Sequence, residues 1–116
     1  KSIGNSNILL LGLAYKKNVD DDRESTTFKI MELLDHYGAT VEYNDPYIPK
    51  IKTRREHNQF EGKKSVSLDT TESFDLVVIL TDHSCYHYEE IVRDAKLIVD
   101  TRNACGKIKS DKIIKA

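Results

Sequence analysis

Neither sign of charge dominates the 116-residue chain: 18 basic side chains stand against 19 acidic ones, for a net charge of −1. A chain so balanced has no global pull toward nucleic acid or an anionic membrane, so any anion site must be local. No apolar run approaches the roughly eighteen residues that cross a bilayer, and the N-terminus lacks the charged-then-apolar pattern of a secretory signal. A soluble, cytoplasmic protein is expected. Cysteine is limited to Cys85 and Cys105. They show no CxxC or zinc-ligand spacing, which argues against a disulfide framework and leaves free thiols. Internal repeats and low-complexity stretches are absent. The length suits one domain with one core. Because the first residue is Lys1 rather than Met, a fragment of something longer is expected.

What is present is a succession of short apolar runs. Asn7-Ile8-Leu9-Leu10-Leu11-Gly12-Leu13-Ala14 reads as a strand buried on both faces. From Ser25 the apolar residues Phe28, Ile30, Met31, Leu33 and Leu34 take helical spacing, which stops at Tyr37-Gly38, where glycine supplies a left-handed cap. Ala39-Thr40-Val41-Glu42-Tyr43 predicts a second strand closed by the turn-forming Asn44-Asp45-Pro46. Residues 50–64 are polar and charged and predict a surface loop with a weak helix. Ser65-Val66-Ser67-Leu68 predicts a short edge strand. A strong buried strand follows over residues 75–81, a short helix over 89–94 begun by the Tyr86-His87-Tyr88 cluster, and a last strand over 96–100. The basic tail from Lys107 is expected to be a loose end.

Strands alternating with helices imply right-handed crossovers, hence an α/β, Rossmann-like doubly wound fold with a mostly parallel sheet and helices on both faces. If the first strand is central, strand order reverses between it and the strand containing Val77, and a ligand belongs beyond the carboxyl ends there. Those ends carry Tyr15, Lys16 and Lys17, then Asp82, His83 and Ser84, then Thr101, Arg102 and Asn103. Lysine and arginine converging at one point suit a phosphate or carboxylate. The first crossover holds Gly12 but no G-x-G-x-x-G, and its connection is far longer than a tight glycine turn, so NAD bound in the usual dinucleotide manner is not expected within this chain.

Gly12-Leu13-Ala14-Tyr15-Lys16, then Asp21-Asp22-Arg23-Glu24-Ser25, Tyr43-Asn44-Asp45-Pro46-Tyr47 and Asp100-Thr101-Arg102-Asn103 resemble, in order and spacing, the C-terminal domain of UDP-glucose and GDP-mannose dehydrogenases. The resemblance spans residues 8–103 and makes residues 1–116 a single C-terminal UDP-sugar-binding domain. A whole subunit of that family has an N-terminal NAD-binding domain, a long central helix that dimerises, and this domain for the UDP portion of the substrate. The resemblance therefore implies NAD bound mainly by the absent N-terminal domain, a UDP-sugar as ligand, and a homo-oligomeric intact enzyme.

Carried over by residue, the resemblance implies that Tyr15 and Lys16 lie against the nucleotide and its phosphates; Lys17 is nominated by its position after the first strand. The resemblance also implies that Arg102 reaches the nucleotide sugar and that Arg23 contacts the cofactor across the cleft. The family oxidises a C6 alcohol to a carboxylate through a covalent thiohemiacetal. Its nucleophilic cysteine and proton-transferring lysine and aspartate lie in motifs this sequence does not contain, so no catalytic residue is assigned and the chain alone is expected to be inactive. Thr81-Asp82-His83-Ser84 and Asp100-Thr101-Arg102-Asn103-Ala104 look more like enzymes acting on UDP-N-acetylhexosamines, which favours UDP-N-acetylglucosamine over UDP-glucose. The family's usual setting is polysaccharide precursor synthesis.

Plainer readings stand beside these. Lys16 and Lys17 could be solvated loop residues, Tyr15 ordinary core, and Arg23 the partner of a nearby carboxylate. Asp20-Asp21-Asp22 lacks calcium-loop spacing and reads as a capping segment before the helix; no metal is assigned. His83 reads as a hydrogen-bonding loop residue rather than a catalyst. Two alternatives of other classes are a receiver-like signalling domain using an aspartate as phosphoacceptor, and a structural assembly module that binds no nucleotide.

Overall fold

The computed structural model describes residues 3–14, 17–18, 26–52 and 58–116. Its centre is β1 (Asn7–Leu11), in which Ile8 through Leu11 are all buried. Alternation of side chains along the strand divides that run between two faces. Ile8 and Leu10 pack with Phe28 and Met31 of helix α1 (Thr27–His36), whereas Leu9 and Leu11 pack with Ile91 and Val92 of helix α2 (Tyr88–Asp94). A continuous apolar run is thus what a strand sandwiched between helices requires.

Strands β2 (Thr40–Asn44), β3 (Leu76–Ile79), β4 (Ile98–Asp100) and β5 (Ile113–Lys115) complete the sheet, in the order β2-β1-β3-β4-β5 with every pairing parallel. The expected doubly wound α/β fold is what the chain adopts, and strand order reverses between β1 and β3 as anticipated. The strand predicted to reach Ala14 stops at Leu11, because Gly12 turns the chain at φ +101°. Helix α1 is closed by Gly38, two residues past its end, which has a φ of +87° and whose amide donates back to the Asp35 carbonyl.

Two expectations are corrected. Residues 65–68 form no edge strand: Ser65 and Val66 donate singly to Pro49 and Tyr43 carbonyls, and a 3-10 helix follows at Leu68–Ser73. The hydroxyls decide this, since Ser67 caps Asp69 while Thr70, Thr71 and Ser73 bond back to carbonyls of the same turn. Nor is the basic tail loose. It contributes β5, and the Lys112 ammonium bonds the carbonyls of Val92 (3.0 Å) and Arg93 (3.1 Å) at the end of α2, where a cation is favoured. The last strand is therefore β5 rather than the one ending at Asp100.

The described residues of the 50–64 segment, 50–52 and 58–64, are anchored more firmly than a plain surface loop. Ile51 is buried, its amide and carbonyl pair with Lys63 and Gly62, and Lys50 bridges Lys64. The weak helix expected there corresponds to a 3-10 turn at Asn58–Phe60, whose Phe60 stacks on Phe28 with ring centroids 6.4 Å apart.

Candidate functional site at the carboxyl ends of the central strands

The reversal between β1 and β3 places three chain ends side by side, and short polar contacts bind them together. Leu80 and Thr81 amides both donate to the Leu11 carbonyl (2.8 and 3.1 Å), and the Thr81 hydroxyl donates to the Ala14 carbonyl at 2.9 Å. From β4, Thr101 donates its hydroxyl to Ile79 (2.6 Å). The Arg102 Nε donates to the Leu80 carbonyl (2.8 Å), which aims the guanidinium.

Asp100 builds the turn that carries Arg102. Its buried carboxylate accepts the amides of Arg102 (3.1 Å), Ala104 (3.0 Å) and Cys105 (2.8 Å), and Asn103 takes a left-handed φ of +57° to close the loop. Burial opposes ionisation of this carboxyl, but the amides of Cys105, Ala104 and Arg102 together hold it below the usual carboxylate range. The neighbouring Cys105 thiol is pushed up to about 11, first by burial and then by the Asp100 charge. Both cysteines are free, Cys85 exposed and Cys105 buried.

A second buried carboxylate organises the β1 side. Asp45, fully buried just beyond β2, accepts four hydrogen bonds: Leu13 N–H (2.7 Å), Ala14 N–H (2.9 Å), Tyr47 N–H (2.8 Å) and His83 Nε2–H (2.8 Å). Burial works against its charge, yet the bonds from His83, Leu13, Ala14 and Tyr47 prevail and lower its pKa from 3.8. His83, also fully buried, accepts the Asn18 amide on Nδ1 at 2.7 Å, so its proton sits on Nε2. Asn18 and Ser84 complete the arrangement with a reciprocal pair of 2.8 Å bonds. The phenol of Tyr86 donates to the Asn44 carbonyl, and that of Tyr88 to His83. Both are held well above the usual tyrosine range, chiefly by burial.

Of the residues nominated from sequence, Lys17 and Arg102 are described and both are exposed; among the described residues neither has a carboxylate partner. Tyr15, Lys16 and Arg23 lie outside the described residues, as does the acidic run 20–22. His83 has the hydrogen-bonding role expected of it. Its coupling to Asp45 was not visible in sequence, since 38 positions separate them; the signal available was an Asn-Asp-Pro turn placed after a strand. Asp45 does not suit the phosphoacceptor of a receiver domain, because it follows an outer strand and its oxygens are engaged by four donors. An open depression of about 620 Å³ lies between the start of α2 and residues 104–108. It includes neither Lys17 nor Arg102, and its lining sets Glu89 and Glu90 against Lys107.

Residues 9–107 match the UDP binding domain of the UDP-glucose/GDP-mannose dehydrogenase family. The chain belongs to that family. A UDP-N-acetyl-D-mannosamine dehydrogenase from Methanococcus vannielii is 32% identical over 104 residues, covering 83% of this chain and 22% of that protein. A UDP-glucose 6-dehydrogenase from Rickettsia conorii is 33% identical over 103 residues, covering 84% and 24%. The solved structure of the UDP-D-ManNAc dehydrogenase from Pyrococcus horikoshii superimposes with a TM-score of 0.72 at 27% identity, over 97% of this chain and 25% of that one. This UDP-binding domain thus spans about a fifth to a quarter of the length of the dehydrogenases it matches.

Gly12, in this family member, has a task other than cradling a dinucleotide. Its amide donates to the Asn44 carbonyl at 2.9 Å, and a Cβ there would lie 2.3 Å from the Thr81 Cβ. The glycine lets the chain beyond β3 approach the β1 turn.

Proposed function

We propose that this domain holds the UDP end of a nucleotide sugar over the carboxyl ends of β1 and β4, within an NAD-dependent 6-dehydrogenase that oxidises the C6 alcohol to the uronate. The observation that carries the reading is the pair Lys17 and Arg102, exposed, without carboxylate partners among the described residues, and set at the strand reversal of a slightly acidic chain. A diphosphate supplies what they lack, with Arg102 offering a fork of donors and lysine a compact charge. Tyr15 and Lys16 complete the substrate set, and Arg23 reaches toward NAD held mainly by an N-terminal domain of the same polypeptide. Hydride transfer and covalent chemistry belong to that larger enzyme, a cytoplasmic homo-oligomer making polysaccharide precursors; this domain contributes binding and orientation.

The sugar is an N-acetylhexosamine on the strength of Thr81-Asp82-His83-Ser84 and Asp100-Thr101-Arg102-Asn103-Ala104. The similarity to enzymes named for UDP-N-acetyl-D-mannosamine supports the class, and that to a UDP-glucose enzyme keeps the hexose as the competitor. Titration calorimetry with UDP, UDP-glucose, UDP-N-acetylglucosamine, UDP-N-acetylmannosamine and NAD tests the reading. Binding of UDP compounds but not NAD is expected, and binding of NAD alone would overturn it. Lys16→Ala and Arg102→Ala should each weaken UDP by about 1.5–3 kcal/mol with the fold intact, the value of a charge-assisted hydrogen bond. Unchanged affinity in both variants would refute the site.

A further inference from the structure

We infer that His83 is a positioning residue for the nucleotide site: its ring, held by Asp45, fixes the chain at Asn18 and so sets where Lys17 stands beyond β1. The inference rests on the functional reading above for what the site holds.

Leu13 and Ala14 on one side of Lys17, and Asn18 on the other, are tied to one buried pair. On the N-terminal side the Asp45 carboxylate takes the Leu13 and Ala14 amides. On the C-terminal side the His83 Nδ1 takes the Asn18 amide, and Asn18 itself turns the chain at φ +62°, a conformation few side chains tolerate. Among the described residues no other polar group bonds the ring, which is fully buried with Tyr47 4.7 Å and Tyr86 5.7 Å away between centroids. Asp45 fixes the proton on Nε2, and that choice makes Nδ1 an acceptor. The carboxylate therefore acts on the loop twice, directly through two amides and at one remove through the imidazole. A loop so held presents its lysine in one place; released, it reaches that place for a fraction of the time, and apparent affinity falls by the same fraction.

The two ring nitrogens can be tested separately. In His83→Gln the carboxamide nitrogen reaches the Nε2 position and still donates to Asp45, while Asn18 loses its acceptor. In His83→Asn the carboxamide oxygen reaches the Nδ1 position and still accepts from Asn18, while Asp45 loses a donor. The measurements are UDP titration, melting temperature and amide hydrogen exchange at Asn18 on the full chain. His83→Gln should raise the UDP Kd roughly 3- to 10-fold and speed Asn18 exchange about tenfold. His83→Asn should lower the melting temperature more, yet leave the UDP Kd within about twofold. Affinity that tracks melting temperature across the variants, or Asn18 exchange equal in all of them, would overturn the inference. Failure of the unsubstituted chain to bind UDP would refute the functional reading instead, and Asn18 exchange, faster in His83→Gln but not in His83→Asn, would still decide the clamp.

Discussion

Replacing Asp45 by asparagine changes one atom at the point on which the β1 turn depends, and the structure dictates the consequence. One carboxylate oxygen serves the Tyr47 amide; the other serves Leu13, Ala14 and His83. An asparagine can offer its oxygen to only one of these sides, so its NH₂ must face at least one donor. Left with the better choice, it strands the Tyr47 amide, at about 1–3 kcal/mol, and demotes three charge-assisted bonds to neutral ones. Relief from burying a charge offsets part of this, and the net loss should be about 2–4 kcal/mol. For a domain of this size that is roughly 8–16 °C in melting temperature. Urea denaturation followed by circular dichroism at pH 7 measures it. The pH dependence has a definite sign. Because the folded-state pKa of Asp45 is lowered from 3.8, its contribution is fully present above that value and is lost as pH falls through the folded-state value. The gap between the unsubstituted chain and Asp45→Asn should therefore be constant near neutrality and narrow in acid. A melting temperature within about 2 °C at pH 7, or a gap that widens on acidification, would refute the assignment of Asp45 as the hub.

Gly12→Ala should destabilise by about 3 kcal/mol or more, because a positive φ and a 2.3 Å approach to Thr81 leave no place for a methyl group, whereas Gly62→Ala, with φ +84° but open surroundings, should cost about 1–2 kcal/mol; equal losses on chemical denaturation would contradict the packing at the β1 turn. A thiol reagent at pH 8 should modify Cys85 in the folded chain and spare Cys105, which is buried with its pKa near 11, and both should react after unfolding. Rapid labelling of Cys105 in the native state would show that the Asp100 turn opens.

Legibility in the sequence followed the local density of the signal. Strand β1 and strand β3 announce themselves because strands covered on both faces need unbroken apolar runs, and α1 because its buried residues keep helical spacing. Strand β5 does not, since Ile113 and Ile114 are set among lysines and a short lysine-flanked strand is how a sheet edge avoids further pairing. Val66 and Leu68 alternate with serines like a strand, but the hydroxyls of Ser67, Thr70, Thr71 and Ser73 answer to nearby backbone instead. Lys17 and Arg102 could be placed beyond their strands because topology alone sends strand ends to one edge. The Asp45–His83 pair could not, because each residue has an ordinary turn or loop role until tertiary structure brings them together.

Residues 12–14, just beyond β1, leave little of their main chain to offer a ligand. Gly12 N–H is taken by Asn44, the Leu13 and Ala14 amides by Asp45, the Gly12 carbonyl by Thr27 and the Ala14 carbonyl by Thr81. A glycine-rich phosphate cradle recognises its ligand through backbone that point mutation can scarcely alter. Here residues 12–14 form a fixed plinth, and on the proposed reading recognition is left to the side chains that follow. A site of the kind proposed would change its preferred sugar one substitution at a time without unsettling the fold, and ligand choice would then be the readily evolvable property of such a domain.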